Sequence, residues 1–192
     1  MIKTENFEQV EVKSVSELRD WLLQNHNQKE SIWLVTYKKE VLDKYVSVQE
    51  VLDQLLCFAW IDGIRRKLDE TRTMQLIAPR KVEHWAKTYK ERFLKLEALA
   101  LVHQAGFDSV TASKKAGLWD FMDDVDNLIV PNDLNQALSE NKPALEFFEK
   151  LSPSNKRFVL RYIKLAKTED TRKKRILQVV SLSAQNKKIL GL

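Results

Sequence analysis

S-V-Q-E-V-L-D-Q-L-L-C-F-A-W-I-D-G, residues 47–63, is the stretch from which the rest of the chain can be read. Val48, Val51, Leu52, Leu55, Leu56, Ala59 and Trp60 recur at helical spacing, which predicts one continuous apolar face. Ser47 and Glu50 form an S-x-x-E capping box that satisfies two backbone donors and fixes the helix start. Asp62-Gly63 predicts a turn after the helix, because glycine tolerates positive φ and aspartate bonds to nearby backbone. The segment therefore reads as a central core helix that delivers Trp60 and Asp62 to a strand entrance.

On the N-terminal side, Phe7–Val12 alternates imperfectly and predicts a short edge strand. Ser14 and Glu17 make a second capping box, opening a helix over 14–25 with Val15, Leu18, Trp21 and Leu22 on one face. Ser31–Tyr37 is rich in aromatic and β-branched residues and predicts a central strand covered on both sides. On the C-terminal side, Ile64–Leu68 and Thr71–Ala78 predict a hairpin across Asp69-Glu70, stopped by Pro79. From Lys81 the period becomes helical, with Val82, Trp85, Ala86, Tyr89, Phe93, Leu96 and Ala100 predicting one long helix over 81–104 that ends before Gly106. A short helix near Ser109–Ala116 follows. Asp120, Asp123, Asp124 and Asp126 read as a solvated acidic face, since they lack the ligand spacing of a calcium loop. Val130–Leu134 reads as a linker into a helical C-terminal part, with helices over 142–151 and 153–167 and a last one capped by Thr168. The expected architecture is α+β: a small antiparallel sheet of three or four strands packed with helices over 1–127, then a basic helical region over 128–192.

Composition narrows the function classes. The chain has 192 residues, is 44% hydrophobic and contains four Gly and four Pro, as a folded protein does. Its one cysteine, Cys57, excludes an intramolecular disulfide and a cysteine-rich zinc site, and reads as a buried small hydrophobe. The N-terminus has no apolar leader-like run, and no stretch is apolar for long enough to span a bilayer, so the expected location is cytoplasmic. Residues 156–192 carry eleven Lys/Arg against Glu169 and Asp170, a local +9 within a whole-chain +5, so the remainder is −4.

L-C-F-A-W-I-D-G at 56–63, A-P-R-K at 78–81, H-W-A at 84–86, P-N-D-L at 131–134 and A-K-T-E-D-T-R-K-K-R-I at 166–176 occur in order. Together they resemble the YdeI/OmpD-associated, or bacteriocin-protection, family over nearly the whole chain. Members of that family typically read C-F-G-W-I-D-G, T-P-R, a serine-flanked Trp with an Asn shortly after, and a distal T-R-x-x-R-I. Here Ala59 stands where Gly is usual, Ala78 replaces Thr, His84-Trp85-Ala86 replaces the serine-flanked Trp, and Tyr89 stands where Asn is expected. The resemblance implies a bacterial stress or bacteriocin-resistance role and specifies no reaction.

Trp60, Asp62, Arg80 and Trp85 form the candidate ligand site. Asp62 and Arg80 fall at element ends, and aromatic walls with one acid and one guanidinium suit a small carboxylate or phosphate. The alternative is structural, with both tryptophans in the core and Arg80 paired to Asp62. Arg157, Arg161, Arg172, Lys173, Lys174 and Arg175 form a candidate basic surface for nucleic acid or an acidic protein, against a plain solvated face. His26, His84 and His103 do not cluster in sequence, so no metal or other cofactor site is expected. No nucleophile-elbow, P-loop or dinucleotide fingerprint is present. The leading expectation is a non-enzymatic protein binding a small anionic ligand or a protein partner. Nucleic-acid binding through the basic helices, and an enzyme working through Asp62 and Arg80, are the alternatives.

Overall fold

A strand, a helix and a second strand begin the fold and set the direction of its sheet. The computed structural model describes residues 7–187; Lys188, counted in the basic stretch, lies outside them. The chain divides into two units, residues 1–120 and 121–192. The first unit runs β1 (Gln9–Glu11), α1 (Val15–Asn25), β2 (Ile32–Tyr37), α2 (Val48–Cys57), β3 (Trp60–Lys67), β4 (Arg72–Pro79), α3 (Lys87–Ala98) and α4 (Gln104–Lys115). Its sheet has the order β1-β2-β4-β3. The class is α+β as expected, but the sheet is mixed rather than antiparallel. β1 pairs parallel to β2, while β2–β4 and β4–β3 are antiparallel. A helical crossover between two adjacent strands brings the chain back in the same direction, whereas the tight β3–β4 turn reverses it.

The capping box at Ser47 forms in full: Ser47 Oγ accepts from the Glu50 amide, and the Glu50 carboxylate accepts from the Ser47 amide. The second expected box is half-made. Ser14 Oγ accepts from the Glu17 amide, but the Glu17 carboxylate takes the Lys13 amide instead. Val51, Leu55, Leu56, Cys57 and Phe58 are buried with Leu18, Leu22, Ile32, Leu34 and Ile77 in one core. Fully burying one such leucine contributes roughly 1.5–3 kcal/mol. The core thus holds α1 and α2 on one face of the sheet.

The exit from α2 differs from the sequence reading. The reversal is made by Ala59 at φ +59°, and β3 begins at once with Trp60. Asp62 and Gly63 sit inside β3 at a register shift. A Cβ on Gly63 would lie 3.2 Å from the Leu76 carbonyl oxygen, so glycine there serves close strand approach.

Of the long helix expected over 81–104 only Lys87–Ala98 is helical, with irregular segments before and after it; α4 begins at Gln104 and takes in the short helix expected near 109–116. α3 starts only at Lys87, and the chain leaves it through Ala100 at φ +54°. His103 then caps α4, so Gly106, expected just past a helix end, lies in a first turn instead. A Cβ at Gly106 would stand 2.6 Å from the Cys57 carbonyl oxygen. Its glycine allows α4 to touch the end of α2. The apolar stripe over 82–100 misled because Val82, Trp85 and Ala86 are apolar residues of an irregular segment, in register with the helix by spacing alone.

The second unit comprises α5 (Asp123–Asp126), α6 (Asn132–Ser139), α7 (Lys142–Glu149), α8 (Pro153–Lys164) and α9 (Glu169–Ala184). Asn141, Ser152 and Thr168 each accept from a first-turn amide, so the last three helices begin where the sequence indicates. Leu134, Leu138, Phe148, Val159, Leu160, Ile163, Ile176 and Val179 form its own core.

Two substitutions test these backbone arguments by urea denaturation. Ala59→Gly is expected to raise the unfolding free energy by about 0.5–1 kcal/mol, as relief of left-handed strain outweighs added chain entropy; lower stability would contradict the strained turn. Gly106→Ala is expected to lower it by about 1–3 kcal/mol through overpacking against Cys57, and unchanged stability would contradict the close approach.

Candidate functional site

Pro79 ends β4, and the next amide, Arg80 N–H, donates to the Ala59 carbonyl at 2.7 Å. This bond turns the Arg80 side chain inward, where only 4% of it is exposed. The guanidinium lies 4.1 Å from the Trp85 ring centroid and 5.5 Å from that of Tyr89. Among the described residues its one ion pair is with Glu83 at 3.4 Å, and its buried Nε–H has no acceptor. Burial pulls the Arg80 pKa down from its ordinary value, while the charges of Glu83, Tyr89 and Asp62 work in the other direction.

Asp62 does not pair with Arg80 directly. Its carboxylate accepts from Tyr89 Oη at 2.9 Å and from Gln75 Nε2 at 3.2 Å. Burial and the bond to Asp62 push the Tyr89 phenol up to about 12, so Tyr89 remains a donor. Trp85 is buried, donates through Nε1 to Ser113 Oγ at 3.0 Å, and meets Phe93 edge-on. Trp60 is equally buried, donates to the His26 carbonyl at 3.2 Å and packs T-shaped on Trp21. Three of the four sequence candidates, Asp62, Arg80 and Trp85, therefore belong to one contact chain through Tyr89. Trp60 is a core residue apart from it. Tyr89 reads from sequence as one more position of a core stripe; its place where the resembled family has Asn was the signal that it is polar in use.

Above Arg80 lies an open cleft of about 550 Å³. Its walls come from His26–Lys29 after α1, Phe58 and Ala59 at the end of α2, Pro79–Val82 after β4, and the Ala105, Ser109 and Ala112 face of α4. Lys29, Arg80 and Lys81 contribute positive charge to this lining and Asp108 the single carboxylate. Asp108 already accepts from Gln104 Nε2 at 2.8 Å. An open concavity with both apolar residues and Lys29, Arg80 and Lys81 in its lining is suited to an anion bearing an apolar body.

Two of the histidines, dispersed in sequence, meet beside this cleft. The rings of His26 and His103 are 4.7 Å apart, because the end of α1 and the start of α4 converge on Phe58. Among the described residues, no group of three or more His, Cys, Asp or Glu side chains could hold a metal ion. Cys57 is buried, and that burial pushes its thiol pKa up.

The basic candidates of the second unit divide into two kinds. Arg172 grips Asp133 through two bonds of 2.6 and 2.8 Å, and Arg175 lies over the Tyr162 ring while donating to its carbonyl. The Asp133 carboxyl is held below its usual range chiefly by Arg172. Arg157, Arg161, Lys173 and Lys174 are exposed. The T-R-x-x-R-I residues are thus fastened within the unit, and the exposed basic stripe is thinner than the sequence suggests. Asp124, one of the acidic patch, is bonded to Lys164.

Residues 10–109, just over half of the chain, match the family described as domain of unknown function DUF8412. Residues 127–186 match the family described as bacteriocin-protection, YdeI or OmpD-associated. The second match takes in P-N-D-L and the T-R-x-x-R-I motif, while the W-I-D-G and P-R motifs fall under the first, so the resemblance expected along nearly the whole chain is matched over its C-terminal part. No curated protein and no solved structure matches the chain. The chain belongs to the DUF8412 family, and its C-terminal part is of the bacteriocin-protection, YdeI/OmpD-associated family.

Proposed function

We propose that the first unit binds a small organic anion, a carboxylate or phosphate with an apolar portion, in the cleft above Arg80. The wider role is that of a non-enzymatic, cytoplasmic protein of bacterial stress or bacteriocin resistance. The observation that carries the binding reading is the state of Arg80. Among the described residues a guanidinium 4% exposed faces a single carboxylate at 3.4 Å and leaves its Nε–H without an acceptor. Burying a cation costs free energy unless charge and hydrogen bonds compensate it. The Trp85 and Tyr89 rings supply part of that compensation, and an anion in the cleft supplies more. Lys29 and Lys81 on the lining add to the same attraction.

Binding is favoured over catalysis by how the acidic groups are used. Both Asp62 oxygens are taken by Tyr89 and Gln75, and a phenol at about 12 is a poor base at neutral pH. These residues hold Arg80's surroundings in place.

The test is an amide chemical-shift titration of the full chain with sodium sulfate and with sodium benzoate. Saturable shifts are expected at Lys81, Val82, Ala105 and Ser109, with benzoate the tighter of the two. Arg80→Lys keeps the charge but loses the planar fork, and is expected to weaken both anions about tenfold. Lys81→Gln, on an exposed side chain, is expected to weaken them by a smaller factor without touching the core. Shifts that never saturate, or that ignore both substitutions, would overturn the reading.

A further inference from the structure

We infer that His103 is an acid-sensitive latch on the cleft: protonation of its ring uncaps α4 and reduces anion binding. The coupling to anions rests on the binding reading above, while the cap itself does not. His103 Nδ1 accepts the Ala105 amide at 3.3 Å, as the N-cap of α4. An accepting Nδ1 carries no proton, so the bond exists only with a neutral ring. The backbone around it is fixed independently, since the His103 amide donates to the Cys57 carbonyl at 3.1 Å.

Burial and the basic groups around this ring disfavour a proton on it, with Asp108 opposing them. The ring stacks on Phe58 with centroids 4.9 Å apart and planes 20° apart. From α1, the Arg19 guanidinium sits 5.1 Å from the centroid of the same Phe58 ring. Arg19 is pinned there, donating to Gln54 Oε1 at 3.1 Å and to the Leu101 carbonyl at 2.9 Å. Also from α1, His26 meets His103 edge-on at 4.7 Å. His26 Nδ1 lies 3.2 and 3.3 Å from the Leu22 and Leu23 carbonyls, so it is the donor in both contacts. The His26 Nδ1–H is thus held at the C-terminal end of α1 and takes no part in capping α4. A proton on His103 would break its bond and set a cation at the N-terminal end of α4, where it is disfavoured. From α4 itself, Asp108 is the opposing charge, and it is engaged by Gln104. α2 contributes the Cys57 thiol, whose pKa burial raises.

The same surroundings lower the His103 pKa: burial first, then the charges of His26 and Arg19, with Asp108 opposing. The folded protein then binds fewer protons here than the unfolded chain. Stability from the cap is complete above the ordinary histidine value of 6.5 and is lost as pH falls below it, through the lowered folded value. The loosened first turn carries Ala105 and leads to Ser109, both on the cleft wall, which His26 also lines. Simple electrostatics makes the contrary prediction, that added protons attract an anion more strongly.

The experiment compares the full-length wild type with His103→Asn, a good cap that does not titrate, at pH 7.5 and pH 5.5. Urea unfolding and sulfate titration are read on each, sulfate being chosen because its charge is constant over this range. Wild type is expected to lose about fivefold in folding equilibrium constant relative to the variant on acidification, and its sulfate affinity is expected to fall while the variant's does not. Parallel stability in the two proteins overturns the latch. Sulfate affinity that rises on acidification in both overturns the coupling. Sulfate that binds at neither pH overturns the anion reading and the coupling with it, and the urea arm still decides the cap. If His103→Asn does not fold, the wild-type ring is titrated by NMR. Its midpoint should lie below 6.5 and coincide with movement of the Ala105 amide; a midpoint above 6.5, or an unmoved amide, contradicts the latch.

Discussion

The last carbonyls of α2 are the constraint on which the first unit depends. A helix leaves its final carbonyls without intrahelical partners, and burying them demands partners from elsewhere. Here the Cys57 carbonyl, the last of α2, takes the His103 amide, and the Ala59 carbonyl, in the reversal just beyond the helix, takes the Arg80 amide. Gly106 adds a third connection, because any larger residue would strike the Cys57 carbonyl. The start of α4 and the exit from β4 are therefore tied to one helix end and the reversal after it. The cleft is the space left between these tied segments, and Phe58 and Ala59 are its common wall.

That arrangement explains how an arginine comes to be buried with little to neutralise it. The Arg80 amide is drawn to Ala59, which sends its side chain down toward Trp85 rather than out to water. Tyr89 then spans from the guanidinium face to Asp62, with Gln75 holding the far oxygen. The aromatic and hydrogen-bonded shell holds the charge in place without cancelling it. A rigid charge of this kind can recognise an anion without the ordering cost a flexible surface lysine would bring. Proton uptake at His103 would act on the same enclosure from its α4 side.

Legibility from sequence follows the range of each interaction. The Ser47 box, the β-rich stretch at 32–37, the hairpin and the capped C-terminal helices all rest on contacts within a few residues, and they read correctly. The features that escaped need partners far along the chain. The parallel β1–β2 pairing depends on what α1 does between the strands. Gly106 looks like a helix stop until the Cys57 carbonyl is placed against it. Ala59 gives no local sign that it adopts φ +59°, beyond standing where the resembled family carries glycine. Among the site residues, Arg80, Trp85 and Asp62 were legible as a group, but the bridging role of Tyr89 and the meeting of His26 with His103 were not. Spacing rules treat an aromatic in an apolar stripe as core, and histidines remote in sequence as unrelated.

Two long-range backbone bonds, at the end of α2 and in the reversal after it, hold the cleft together. Arg80 and His103 both lie in irregular segments outside helices and sheet, where amides commonly exchange through local opening. Native-state hydrogen exchange across a denaturant series reads each of them individually. The amides of Arg80 and His103 are expected to exchange only with the same large-scale opening that releases Leu55 and Leu56 in α2. Exchange of either amide by local fluctuation, as fast as Lys81 or Val82 beside it, would show that the helix end does not hold the cleft together.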